Sequence, residues 1–284
     1  VVEVIDTKRE NNLPVHIVRT LPQDPSATLH AAINVKTRRA IECNHTATHL
    51  LHAALRQVLG THVEQKGSFV NAKVLRFDFS HFKKVTPEEL RRVEHLANAM
   101  VREATDREEY RDLPIAEARA MGAMALFGEK YGERVRVIKY GSSVELCGGT
   151  HVGNTGRIGM IKIISESSIA AGIRRIEAIT GEEVENSMDF VYDTILEMKS
   201  LLGNAPDALA ALRKSLAENA ALRKQADEFV KERVKAIKAG LMREMRPNNA
   251  GINVMVLRGP VPAEMVKGLA TSVRADAPVA TALL

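Results

Sequence analysis

Apolar positions in this chain recur with two different periods. Over residues 1–40 they fall in short β-prone runs, at 1–5, 15–19 and 29–35, separated by Asn-, Pro- and Asp-rich turn stretches at 10–13 and 21–26. From about Arg38 to Leu59 the period becomes helical, with Ile41, Leu50, Leu51, Ala54, Leu55 and Val58 in one stripe and Gly60 as a stop. Strands are predicted next at 68–70 and 74–79. Thr86-Pro87-Glu88-Glu89 then supplies an N-cap, a proline for the first helical position and a capping-box acid, and Leu90, Val93, Ala97, Met100, Val101 and Ala104 follow at helical spacing. A short helix is predicted near 115–121, a hairpin from 135–140 and 144–147 around Gly141-Ser142, and two more strands at 159–165 and 174–180. Strands and helices mixed without a regular β-α-β rhythm predict an α+β domain over about 41–181.

After Gly181 the character changes. One helix is predicted over 182–202, then a break at Gly203-Asn204-Ala205-Pro206, with Pro206 suited to the first turn of a second helix running to Met245. That second helix would be roughly 60 Å long at 1.5 Å per residue. Leu209, Leu212, Leu216, Leu222, Ala226, Val230, Ile237 and Leu241 give it one apolar side, the pattern of a long helical hairpin or coiled coil, serving as a spacer or a homodimer seam. Residues 246–251 read as a loop and 252–257 as a strand-like run, and the remainder to 284 is too short for a domain of its own.

Composition narrows the function classes. Over 284 residues, 45% hydrophobic and 26% charged is the balance of a chain that buries a core, which excludes dominant disorder. No apolar run approaches the length of ~18 residues that a membrane span needs. The start reads as neither a signal nor a transit peptide, and Val1 in place of Met makes a stretch of a longer protein the expectation. Two cysteines, Cys43 and Cys147, cannot build a disulfide framework and point to a reducing, cytoplasmic setting. Lys and Arg number 40 against 35 Asp and Glu, and the resulting +5 permits an anionic partner such as nucleic acid. At 4% aromatics and no Trp, the composition argues against recognition by stacking platforms.

The chemistry-bearing residues fall in two places. His45, His49 and His52 lie on the first strong helix, and His45 and His49, four apart, project from one face. Alone, such a pair is as well explained by hydrogen-bonded or solvated histidines. Cys147-Gly148-Gly149-Thr150-His151, at the end of a hairpin strand, adds a thiol and an imidazole, with two glycines that let the backbone turn sharply. His45, His49, Cys147 and His151 together make an N₃S set that suits tetrahedral Zn²⁺ more economically than an inert thiol, an ordinary turn and a stray histidine pair. A Cys147–His151 nucleophilic dyad competes for the same side chains. A metalloprotease would need Glu after the first histidine, where this chain has Thr46. Cys43 sits about 200° from His45 around the helix, so it reads as a small core residue.

Taken in order, Asn44-His45-Thr46-Ala47-Thr48-His49-Leu50-Leu51-His52, Gln65-Lys66-Gly67-Ser68, Cys147-Gly148-Gly149-Thr150-His151 and Gly172-Ile173-Arg174-Arg175-Ile176-Glu177-Ala178 resemble the editing domain of alanyl-tRNA synthetase. The resemblance covers nearly the whole chain. It implies the end of a β-barrel at 1–40, a zinc-containing editing domain of mixed sheet and helices at 41–181, long helices at 182–248, and the start of a C-terminal domain at 249–284. Asn34-Val35 departs from the family's usual Val-Asp, in the barrel rather than the site.

The resemblance further implies zinc-dependent hydrolysis of tRNA(Ala) mischarged with serine or glycine. His45, His49, Cys147 and His151 fall on its zinc positions, and Thr48, Gln65 and Ser68 on positions lining its amino-acid pocket. Without it, Thr48 would be taken for a helix surface residue and Gln65 for a solvated loop residue. No aminoacylation site is visible, so ATP-driven activation of alanine is not expected of this chain. Arg38, Arg39, Lys66, Arg174 and Arg175 are candidates for tRNA phosphates. The alternatives are a free-standing editing protein acting in trans and a non-catalytic, zinc-stabilised RNA-binding or dimerisation module.

Overall fold

Two compact units, Val1–Asp189 and Phe190–Leu284, make up the computed structural model, which describes residues 1–11, 13–124, 131–257, 259, 261–276 and 281–283. The first unit opens with an antiparallel hairpin of β1 (Val4–Glu10) and β2 (Leu13–Val18), whose strands pair only with each other among the described residues. No closed barrel forms among the described residues. The β-prone run at 29–35 is not a strand. It has no sheet partner among the described residues, and near its end Asn34 Oδ1 accepts a hydrogen bond from the Thr37 amide at 3.0 Å and starts α1 (Val35–Leu59) three residues ahead of the predicted Arg38.

Helix α1 organises the unit. Its middle is buried nearly all round, from Thr46 to His52 and again at Ala54 and Leu55, because it lies between packed neighbours instead of on a surface. One neighbour is a four-stranded antiparallel sheet in the order β3-β4-β9-β8, with β3 (Gln65–Val70), β4 (Leu75–Ser80), β8 (Ile161–Ala170) and β9 (Ile173–Thr180). Leu75, Phe77 and Phe79 alternate along β4, and all three are fully buried in one core with Leu50, Leu51 and Leu55 of α1. Each such side chain contributes about 1.5–3 kcal/mol by leaving water.

The predicted capping box starts α2 (Pro87–Arg102). Thr86 Oγ1 accepts from the Glu89 amide at 3.2 Å, and the Thr86 amide donates to Glu89 Oε2 at 2.8 Å. Asn98 of α2 then satisfies both backbone groups of Ile161, and Glu94 accepts from the Ile163 amide, which covers the first three residues of the open edge of β8.

A second sheet, in the order β5-β6-β7, joins β5 (Glu108–Pro114), β6 (Arg134–Tyr140) and β7 (Ser143–Leu146). β5 is absent from the apolar pattern because it is mostly charged, and Glu108–Lys139 and Glu109–Arg136 pairs tie it to β6. The short α3 (Ile115–Ala120) follows it, as predicted. β6 and β7 turn tightly at Gly141-Ser142, where Gly141 takes φ +55°.

The helix α4 (Glu182–Leu201) leads into the second unit, and α5 (Ala208–Glu244) lies wholly within it. The break between them falls at 203–206 as predicted, but the first turn of α5 is set by Asp207, whose Oδ1 accepts from the Ala210 amide at 2.9 Å, so Pro206 precedes the cap. Strands β10 (Arg246–Pro247), β11 (Asn253–Met255) and β12 (Thr281–Leu283) form a small sheet, and α6 (Ala263–Asp276) packs Leu269 and Val273 against Leu241 and Met255. Parts of 249–284 lie outside the described residues. No described helix is long and apolar enough to cross a membrane.

Candidate metal centre

Helical geometry places His45 and His49 one turn apart near the middle of α1. The turn at Gly141 returns β7 towards that helix, and Cys147 and His151 follow directly on its end. One ligand atom from each of His45, His49, Cys147 and His151 lies within 4.8 Å of the others. His151 Nε2 is 3.2 Å from Cys147 Sγ, and His45 Nε2 is 3.5 Å from it. The His151 ring centroid is 4.3 Å from that of His45 and 4.5 Å from that of His49.

The donors fit a cation. His49 Nδ1 is buried with no hydrogen-bond partner among the described residues, an expensive condition that a bound ion would relieve. Three imidazoles and a thiol are the borderline-soft set that holds Zn²⁺. Burial, then the neighbouring His49, pushes His45 down to about 4. Burial, followed by the nearby His49 and His45, also holds His151 far below the usual imidazole range. His49 is lowered by burial as well, with Glu145 opposing. All three are therefore neutral near pH 7, the state that ligates.

Around the cluster stands a set of orienting groups. Thr46, where a metalloprotease would have its general base, sits with Oγ1 3.2 Å from His151 Nδ1 and accepts from the Val152 amide. Arg136 donates to the carbonyls of Cys147, at 2.9 Å, and Gly149, at 2.6 Å, while Arg107 donates to the carbonyl of His151 at 2.8 Å. Glu109 pairs with both guanidiniums. Gly149 is dictated by close approach, since a Cβ there would stand 1.9 Å from His45 Cε1, whereas one at Gly148 would meet nothing within 4 Å.

His45, His49 and Cys147 of the cluster line a cavity of about 690 Å³ together with Thr48, Gln65 and Ser68. Thr48 Oγ1 donates to the Asn44 carbonyl at 3.0 Å, which leaves its oxygen as an acceptor. Gln65 and Ser68 come from β3, where the register shifts by one residue between Gln65 and Gly67, as at a β-bulge that re-aims side chains.

Cys43 is apart from the cluster. Its thiol donates to the Arg157 carbonyl, and the residue packs against the core, as its helical angle implied. Of the cationic candidates, Arg175 is held bidentate by Asp78 at 2.7 and 2.8 Å, Arg174 is paired with Glu166, Arg38 with Glu42 and Lys66 with Glu64, while Arg39 is exposed.

Sequence reasoning did not find Thr46, Glu145, Arg107 or Arg136. Glu145 alone left a trace, as the one acid in the short, otherwise uncharged strand β7.

Residues 135–177, which contain both Cys147 and His151, match the family described as the threonyl and alanyl tRNA synthetase second additional domain. This defines the class: a chain carrying that domain, with His45 and His49 supplied from outside the matched stretch. Alanine–tRNA ligase of Bacteroides thetaiotaomicron is 56% identical over 275 residues, 97% of this chain and 31% of the relative. That of Porphyromonas gingivalis is 53% identical over 274 residues, 96% of this chain and 31% of the relative. That of Cytophaga hutchinsonii is 52% identical over 242 residues, 84% of this chain and 28% of the relative. The chain belongs to the alanyl-tRNA synthetase family, in the region that carries the second additional domain. It spans about a third of the length of these curated relatives.

Proposed function

We propose that the cavity is an editing site that hydrolyses the ester of tRNA(Ala) mischarged with serine or glycine, with zinc held by His45, His49, Cys147 and His151. In the reaction, water adds to the ester carbonyl carbon and the bond from that carbon to the terminal ribose oxygen breaks. The ribose oxygen takes a proton, releasing the amino acid and uncharged tRNA. When bound, the ion supplies a Lewis-acidic anchor at the amino-acid end of the substrate. Thr48, with its hydrogen committed to Asn44, accepts from a serine hydroxyl, a contact alanine cannot make. Gln65 and Ser68 line the same space and orient the ester. Such a second selection is needed because a hydroxyl or a methylene is worth only a few kcal/mol of discrimination in an apolar pocket.

The observation that carries this reading is the convergence, in one cavity, of a metal-capable cluster and these three polar side chains. Binding of tRNA is electrostatic, with Arg39 the best placed of the basic candidates because it is exposed, whereas Arg174 and Arg175 are engaged in ion pairs. Exposed Leu209, Leu216 and Leu222 on α5 support a second copy of the chain as a partner, which sedimentation at two concentrations tests.

The function is tested by deacylation of Ser-tRNA(Ala) with and without a chelator, alongside metal analysis. Turnover that disappears with the metal and returns with Zn²⁺ is expected. Stripped protein, still folded by circular dichroism, that hydrolyses at the original rate would remove the role of zinc. Four protein donors favour one other reading, a closed structural site in a non-catalytic RNA-binding module. Binding of tRNA without any turnover would select it.

A further inference from the structure

Glu145 and His52 are buried, titratable and unused by the reaction above. The carboxylate of Glu145 stands between two imidazoles, with Oε2 3.4 Å from His49 Nε2 and Oε1 3.1 Å from His52 Nδ1. All three residues are at most 5% exposed. The His52 ring is itself fixed against Phe77, centroid to centroid 5.2 Å, in the core beneath the sheet. On His49, one nitrogen therefore faces a carboxylate and the other, Nδ1, has no partner among the described residues. A carboxylate 3.4 Å from one imidazole nitrogen favours the proton on that nitrogen and leaves the lone pair on the other.

Charge points the same way. A divalent ion among three neutral imidazoles and one thiolate keeps a net positive charge, and a buried carboxylate one imidazole away cancels it. Without such a neighbour, a buried anion is costly.

We propose that Glu145, backed by His52, is the positioning residue of the metal centre, holding the His49 ring so that Nδ1 is the nitrogen presented to the ion. This rests on the metal-binding reading above and adds the group that sets its geometry. It borders the same cavity, and its part in the metal centre is exerted through His49.

The test is metal titration of the chelator-stripped full chain, with Zn²⁺ affinity measured by competition and Co²⁺ as the spectroscopic probe. Wild-type protein takes up one ion per chain. Glu145→Gln weakens Zn²⁺ binding about 10–100-fold and shifts the Co²⁺ ligand-field bands, while the thiolate-to-Co²⁺ charge-transfer band persists because Cys147 is unchanged. His52→Asn, whose amide N–H can replace the Nδ1 donor, stays within about threefold of wild type, and His52→Phe, which fills the space without a donor, falls about tenfold. Where Glu145→Gln is too poorly folded to titrate, the His52 pair decides, and equal affinities for the Asn and Phe variants overturn the proposal. Wild-type affinity and unshifted bands for Glu145→Gln overturn the positioning role alone and leave the editing reading standing. A wild-type chain that binds neither ion overturns both.

Discussion

The two halves of the metal centre are held in place by different physics. His45 and His49 stand on the buried middle of a 25-residue helix, so their separation is set by helical periodicity and their direction by the core around α1. Cys147 and His151 stand on a loop with no regular structure of its own, and three of its carbonyls, at Cys147, Gly149 and His151, are each taken by an arginine. The helix half is rigid because of what surrounds it. The loop half is rigid because Arg107 and Arg136, locked by Glu109, replace the backbone partners that a strand would have supplied. The lesson is that one site can join a part specified by local sequence to a part specified by distant side chains, and the two should fail in different ways.

Removing a ligand breaks both halves equally. His45→Ala and Cys147→Ala are each expected to lower Zn²⁺ affinity by more than about 100-fold, read as metal content after dialysis, with deacylation lost in parallel. The next effect separates neighbouring glycines. Gly149→Ala puts a methyl 1.9 Å from His45, so the ring must swing away, and metal content should fall nearly as far as in His45→Ala. Gly148→Ala meets nothing within 4 Å and should bind as wild type. Equal behaviour of the two variants would mean that loop and helix do not meet as described.

Arg136→Met removes two hydrogen bonds to the loop and leaves α1 untouched. A loss of about 1.5–3 kcal/mol in unfolding free energy is expected. Metal affinity should drop by roughly tenfold, as for other outer-shell partners, with no change in the spacing of His45 and His49.

The last effect is the pH response of the metal-free protein, which leaves the assembled centre untouched. His45 in the folded chain titrates near 4, against 6.5 for an ordinary histidine, first because of burial and then because of His49. Between those values the unfolded chain binds a proton that the folded chain refuses. Stability is therefore full above about pH 6.5 and falls as pH drops through about 4, which thermal unfolding across this window will show. His45→Phe should flatten that part of the curve.

The same contrast explains what could be read in the amino-acid sequence. His45 and His49 were legible because four residues on a helix always share a face, and Cys147 and His151 because a thiol and an imidazole flanking Gly-Gly are uncommon company. The capping box at Thr86 and the break at Gly203 were legible for the same local reasons. Strand β5 was not, because Glu108 to Pro114 has little apolar patterning and is recruited by ion pairs to β6. The run at 29–35 looked like a strand and is not, since β-prone residues form one only where an edge is available. Arg107, Arg136 and Thr46 are invisible to any reading along the chain, because their partners lie 11 to 105 residues away. Glu145 stood out only as a charge in an uncharged strand, and its meaning depends on His49 lying across the fold.

The most direct test of the central claim, that two distant stretches of chain surround a single ion, is X-ray absorption at the zinc edge of the purified, zinc-loaded protein. The account predicts one zinc per chain with three nitrogen ligands at about 2.0–2.1 Å and one sulfur at about 2.3 Å. A site without sulfur, or zinc that washes out at stoichiometric concentration, would contradict it.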